Sequence, residues 1–349
     1  MKSPDSAPAE LEKLDPPPPG PIRLGRANAL FVLAGLLLVF LVLYRVGFRE
    51  VGDHLFALGF AAPLILVPYA VGAFFDVLGW ARAFVGSARG KVSLAKLYAI
   101  RLAGEAINNV TPSGGLVGEP LKAYLLRRHG VPTGAAVASV VVAKTALVTG
   151  QIFFTLLGLV CFAHLLGLLR ARALWLAGAW AAGALVVAAI IAGQSARLLV
   201  RLARSLRVLR LRPRLQSRIE RRAAEIDHIL AEFYRKDHRG FVFVVGYHLV
   251  AWFVGVGEVL LLFWLMGVRC TWEQALVVES LTQATMALGS VVLPGGLGVH
   301  ELGGALLCRL LGLGEAAGMA LALLKRVREL VFSVLGFLLT PWLSGGGAG

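Results

Sequence analysis

The chain holds only three cysteines in 349 residues, Cys161, Cys270 and Cys308, scattered in or beside apolar segments without ligand spacing. That excludes a disulfide frame or a cysteine metal site and leaves them as small core residues. Acidic residues are scarce too, 20 against 35 Lys and Arg, for a net charge of +15. Such an excess can mark a nucleic-acid binder, but most of the bases sit in a few loops beside apolar runs. There they point to orientation and anionic lipid headgroups, and no nucleic-acid partner is expected. Catalytic signatures are absent: there is no HExxH, no GxSxG, no Walker loop and no GxGxxG in a strand–helix setting. ATP-driven transport by this chain alone is not expected, and no cofactor or metal is implied.

What abounds is apolar. The chain is 58% hydrophobic with a mean hydropathy of +0.76. A soluble domain would aggregate with that much apolar surface, so an all-α polytopic membrane protein is predicted. Residues 1–26 are Pro-rich and charged and read as a disordered tail. Apolar runs near 28–47, 56–80, 132–167, 173–193, 240–267 and 315–343 are each long enough for a spanning helix. The run at 132–167 is long for one span, and reads either as a long tilted helix or as one broken near Gly150. Residues 344–349 read as a short C-terminal tail.

Lys2, Lys13, Arg23 and Arg26 precede the first span, and Arg82, Arg89 and Lys91 follow the second. The 194–239 loop carries 13 Lys/Arg against 5 Asp/Glu, while the alternate loops hold few bases. The bias predicts a multi-pass protein of the inner (plasma) membrane with both termini and the 194–239 loop in the cytoplasm. Within that loop Arg197, Arg201, Arg204 and Arg207 share a helical face before Pro213 breaks the pattern. An interfacial helix on the anionic leaflet is expected there.

One motif occurs twice. Pro112-Ser113-Gly114-Gly115-Leu116-Val117-Gly118-Glu119 returns as Pro294-Gly295-Gly296-Leu297-Gly298-Val299-His300-Glu301, an offset of 294 − 112 = 182. In that ungapped register Arg127 falls on Arg309, Gly130 on Gly312 and Lys144 on Arg326. We read an internal duplication with cores at 95–168 and 272–343. The motifs interrupt two moderately apolar stretches, 95–128 and 272–311, and each half is too short to cross alone. Helix, Pro/Gly break, helix is the form of a re-entrant hairpin, tolerated where protein or a water-filled cavity surrounds it. Three spans separate the copies, an odd number, so the two hairpins are expected to be inverted about a site near the midplane.

The breaks free backbone groups and aim short-helix ends inward. Glu119 and Glu301 each follow their proline by seven residues. They read either as caps of free N–H groups or as ligands for a proton, a cation or a lipid amine. Glu105, Asn108, Asn109, Thr111 and Ser113 make the first break polar, either satisfying broken backbone or donating to a headgroup. Glu279, Gln283, Thr285, Ser290 and His300 occupy the corresponding region of the second, where His300 is a candidate proton relay. Lys325, Arg326, Arg328 and Glu329 fall near the middle of the last span, with Lys144 in the third. They read as ion pairs with Glu119 and Glu301 or as phosphate ligands, the latter favoured because bases outnumber carboxylates here. Asp76, Arg101, His248 and Glu258 are weaker candidates.

The stretch from Asn108 to Arg127, with Leu293 to Glu301 and Lys325-Arg326 downstream, resembles the transmembrane region of lysylphosphatidylglycerol synthases, a flippase-like membrane family. The resemblance covers about 28–343. It implies a membrane domain that moves a lipid, whereas in two-part synthases a separate soluble domain makes the aminoacylated lipid. This chain ends at Gly349 with no room for such a domain, so a stand-alone member without synthase activity is expected. Where the second motif has His300 the first has Gly118, so the two sites need not do the same job.

The reading is therefore a lipid translocase binding a headgroup between two re-entrant hairpins. The candidate ligands are Glu105, Asn108, Asn109, Thr111, Pro112, Ser113, Gly114, Glu119, Lys144, Pro294, Gly295, Gly296, His300, Glu301, Lys325, Arg326 and Arg328. Its partner is an anionic phospholipid or another phosphate-bearing lipid, with a lipid-biosynthesis enzyme as a possible protein partner. The alternatives are an intramembrane lipid-modifying enzyme, with His300 and Glu301 as acid and base across an open cavity, and a non-transporting partner of a lipid or envelope biosynthesis complex.

Overall fold

Helix starts and stops follow local chemistry throughout. The structure is a computed structural model that describes residue 37 and residues 59–84, 88–111, 114–205 and 213–345. The expected tail at 1–26, the first span apart from Leu37, and Pro112, Ser113, Arg207 and residues 346–349 lie outside them. Eleven α-helices and no strand are present among the described residues.

A short 3-10 segment, Gly59–Ile65, contains Pro63 and leads into α1 (Leu66–Arg82). Ser93 opens α2 (Leu94–Val110), its hydroxyl accepting from the Lys96 N–H. Past the first break come α3 (Gly118–Arg128), α4 (Thr133–Leu165) and α5 (Ala173–Ser195). Two further helices, α6 (Leu198–Ser205) and α7 (Pro213–Lys236), precede α8 (His238–Leu265). Thr271 and Gln274 cap the start of α9 (Trp272–Gly289) reciprocally. The second break holds a turn at Pro294–Gly296, followed by α10 (Val299–Leu310) and α11 (Glu315–Gly345).

The 132–167 run is a single helix of 33 residues, about 50 Å long at 1.5 Å per residue. Gly150 does not break it. The glycine lies where α8 crosses, with His248, Leu249 and Trp252 each 3.7 Å from where a Cβ would stand. The 194–239 region, expected as a basic loop with one interfacial helix, instead contains two helices. Pro213 is the first residue of α7, a position where proline's missing N–H costs nothing. Asp227 of α7 is buried and its carboxylate accepts from the Leu199 and Val200 N–H groups at 3.2 and 2.9 Å. It thereby satisfies the orphan donors at the start of α6.

Four described helical segments are long and apolar enough to cross a membrane: Gly59–Arg82, α4, Ala173–Gln194 within α5, and α8. The protein is thus an all-α polytopic membrane protein. Helix α11 spans the sixth expected run at 31 residues but carries four charged residues in its middle, and its charges are enclosed by other helices.

Packing is reciprocal. Helix α8 lies along α1, while α2, the first arm of the first hairpin, packs on α11, the helix that follows the second. Conversely α9, the first arm of the second hairpin, packs on α4, the helix that follows the first. Two large apolar cores and two small ones result among the described residues. One large core gathers Trp80, Ile100, Leu125, Leu126 and Val140 around the first hairpin, and the other Phe154, Val259, Phe263, Leu276 and Leu324 around the second.

Candidate functional site

Each break leaves helix-start N–H groups without intrahelical partners, and the two breaks satisfy them differently. In the first, the buried Asn108 amide oxygen reaches across the gap and accepts from the Gly118 N–H at 2.7 Å. Glycine is required at 118, since a Cβ there would stand 2.1 Å from the Gly104 carbonyl oxygen. In the second, Glu301 accepts from the Gly298 N–H at 2.7 Å, closing the start of α10 on itself. The tips of the hairpins meet directly, the Gly114 N–H donating to the Ser290 carbonyl at 3.0 Å.

The duplicated Glu and basic residue form a clamp in both halves. Lys144 Nζ donates to the Gly115 carbonyl at 2.9 Å and lies 3.6 Å from Glu119. Arg326 donates to the Gly295 carbonyl at 3.0 Å and to Glu301 at 3.0 and 3.3 Å. The separations match, 144 − 119 = 326 − 301 = 25. Each clamp ties the helix after a hairpin to that hairpin's second arm and break.

Beyond the clamps the halves diverge. In the first, Lys122 bridges Glu105 and Glu119 at 3.2 and 3.1 Å. In the second, Lys325 pairs with Glu279 and lies 3.9 Å from Glu258. Arg328 Nη1 donates to both Glu258 oxygens, while Arg326 also bonds Glu329 at 2.7 Å. Lys325 and Arg328 therefore pair with Glu258 and Glu279, not with Glu119 and Glu301 as expected. Helices α8 and α9 bring those carboxylates in from far along the chain.

Residues from both halves line a cavity of about 210 Å³. Its floor is Tyr69 of α1, with Arg328 Cζ 4.7 Å and Arg101 Cζ 5.9 Å from the ring centroid. Arg101 donates to Asp76 at 2.5 Å, and His248 Nδ1 contacts the other Asp76 oxygen at 2.7 Å. Glu105, Asn109, Lys144, Glu258, Glu279 and Glu329 also line the cavity. Five carboxylates and three bases thus face the cavity, overturning the expectation that bases outnumber carboxylates. Two of the guanidiniums nevertheless keep buried N–H groups without an acceptor among the described residues, Arg101 Nη1 and Arg328 Nε.

Of the expected site residues, Glu105, Asn109, Lys144 and Arg328 line this cavity, and Glu119 borders a smaller one beside it. Asn108 and Gly114 serve the first break, Gly295 and Gly296 shape the second, and Pro294 opens its turn. The Thr111 hydroxyl donates to the Ile107 carbonyl at the end of α2. Lys325, Arg326, His300 and Glu301 lie outside the cavity wall. His300 is buried, and among the described residues no hydrogen bond joins it to Glu301. Sequence reasoning missed Lys122 and Tyr69. The Lys122 signal was present in its spacing three residues after Glu119; nothing local marked Tyr69.

The family model described as "Lysylphosphatidylglycerol synthase TM region" matches residues 28–336. The chain belongs to that family, which places it among membrane proteins related to lipid handling. No curated protein and no solved structure matches it.

Proposed function

We propose that this member of the lysylphosphatidylglycerol synthase transmembrane family is a lipid translocase of the inner membrane, and not an enzyme. It holds a phosphodiester headgroup in the cavity between its two hairpins. The observation that carries the reading is the pair of guanidiniums beside Tyr69, each with one buried N–H that has no acceptor among the described residues. Leaving such a donor unsatisfied costs about 1–3 kcal/mol, and phosphate oxygens are strong acceptors for guanidinium donors. Lys144 adds a third cation to the same lining, and the carboxylates there suit a headgroup that also bears a hydroxyl or amine.

The topology supports the same reading. Three helices long and apolar enough to cross lie between the two hairpins, α4, α5 and α8. If each crosses once, hairpins entering as re-entrant loops stand in opposite orientations, as in transporters with inverted repeats. Both termini then lie on the cytoplasmic side, where the basic residues concentrate. The enzyme alternative needs His300 and Glu301 to meet across an open cavity, whereas Glu301 is engaged by Arg326 and the Gly298 N–H.

Movement of fluorescent phospholipids across proteoliposomes tests the proposal. We expect wild-type protein to accelerate it, and Arg101→Gln to lower the rate about tenfold or more, the loss of roughly one charge-assisted bond in the moving state. Equal acceleration of a glycolipid lacking phosphate, or an Arg101→Gln rate equal to wild type, would contradict it.

A further inference from the structure

Beside the main cavity, and sharing Asp76, Arg101, Glu105 and Lys144 with its wall, lies a second cavity of about 40 Å³. That is room for a water or two. His248 borders it and is buried to 3% exposure. An ionised carboxylate only accepts hydrogen bonds, so contact with Asp76 at 2.7 Å assigns the imidazole proton to Nδ1. Its Nε2 then carries a lone pair, and Nε2 has no partner among the described residues. A buried imidazole nitrogen with nothing to accept from stands next to the carboxylate that holds Arg101.

The charges around it balance. From α1 comes Asp76, from α2 Arg101 and Glu105, from α3 Glu119 and Lys122, and from α4 Lys144. Three carboxylates meet three cations, a formal sum of zero before any proton on His248 Nε2 is counted. Helix α8 adds no other charged group to this cavity. An anion arriving at Arg101 would take the sum to minus one in a water-poor interior, where uncompensated charge is costly. One proton on Nε2 restores neutrality.

From this geometry we infer that the Asp76–His248 pair is a proton-binding site, and that a phosphodiester binding at Arg101 brings one proton onto His248 Nε2 from the aqueous phase. The inference rests on the headgroup reading above and gives it a coupling ion. Linkage makes the effect reciprocal: anion affinity rises as pH falls, by up to about tenfold per pH unit where one full proton is taken up.

The test uses dimethyl phosphate, a diester whose charge is constant around neutral pH. It is titrated into the purified full chain by calorimetry in buffers of different ionisation enthalpy. We expect wild-type protein to bind it with uptake of up to one proton per anion, and His248→Gln to bind it with none. Absence of uptake in the wild type overturns the inference whether or not the variant folds, and His248→Asn is the second variant that assigns any uptake to the imidazole. Binding without proton uptake, or uptake retained in a folded His248→Gln protein, would overturn the inference while leaving the headgroup reading intact. No binding by the wild type at any pH would remove the headgroup reading itself, and the coupling with it.

Discussion

The two clamps share spacing and Glu–base pairing but not surroundings. Lys144 lines the cavity, its side chain is 24% exposed, and it approaches Glu119 as a single point charge. Arg326 is 3% exposed, lies off the cavity wall, and forks onto Glu301, Glu329 and a carbonyl. Lysine is a mobile point charge that readily exchanges partners, whereas arginine's planar fork holds several in one geometry. The duplicated Glu–base pair is kept, but the carbonyl each base takes lies at a different place in the repeat, Gly115 in one and Gly295 in the other. On the proposed reading, Lys144 meets the ligand and Arg326 holds the scaffold.

The comparison breaks most sharply at the sealed end. Removing one partner of a buried pair leaves an uncompensated charge, at a cost of about 3–5 kcal/mol. Glu279→Leu, which leaves Lys325 only the more distant Glu258 at 3.9 Å, should strongly reduce folded protein by thermal unfolding in detergent. Adding Lys325→Met should restore most of it, since replacing both partners removes the stranded charge. Recovery absent in the double variant would show that Lys325 serves more than this pair.

Next in size is the first break. Gly118→Ala forces a Cβ onto the Gly104 carbonyl and should cost about 1–3 kcal/mol by overpacking. Gly130→Ala, where nothing lies within 4 Å, meets only the strain of a positive φ and should cost less, about 1 kcal/mol. Equal losses would show that the close approach of the hairpin arms is not what sets the glycine.

The smallest effect belongs to the helix junction outside the spans. Asp237 caps α8 and takes a two-bond fork from Arg82 at 2.6 and 2.9 Å. The Arg82 hydrogen bonds hold its carboxyl below the ordinary range. A lowered value in the folded state means the contribution is present above the unfolded carboxylate's titration and is lost as pH falls through the lowered one. Because Asp237 is about one-third exposed, solvent screens the pair, and Asp237→Asn should cost about 1 kcal/mol or less. Melting measured across the acid range should be flatter in the variant; an unchanged acid slope would assign the acid sensitivity elsewhere.

What was legible in the sequence was local. Pro and Gly mark the ends of α2, α3, α9 and α10 because proline lacks a donor and glycine reaches positive φ. Pairing of Lys144 and Arg326 with Glu119 and Glu301 was one of two readings the sequence left open, the other being phosphate ligands. Convergence of distant helices was not legible. Asp76, Arg101 and His248 lie 25 and 147 residues apart along the chain, as 101 − 76 and 248 − 101, and only α8 packing on α1 and the turn of α2 bring them together. The count of bases over carboxylates failed for the same reason, because Glu258 enters from a helix outside either repeat. Helix α7 was hidden by reading Pro213 as an end and not a beginning.

The most direct test of the divided clamps is the phospholipid transport rate per folded molecule in proteoliposomes for Lys144→Met and Arg326→Lys. The account predicts that Lys144→Met keeps near wild-type melting but loses most of its transport. Arg326→Lys should melt lower yet keep its rate per folded molecule. The opposite pattern, transport surviving at Lys144→Met and lost at a folded Arg326→Lys, would contradict it.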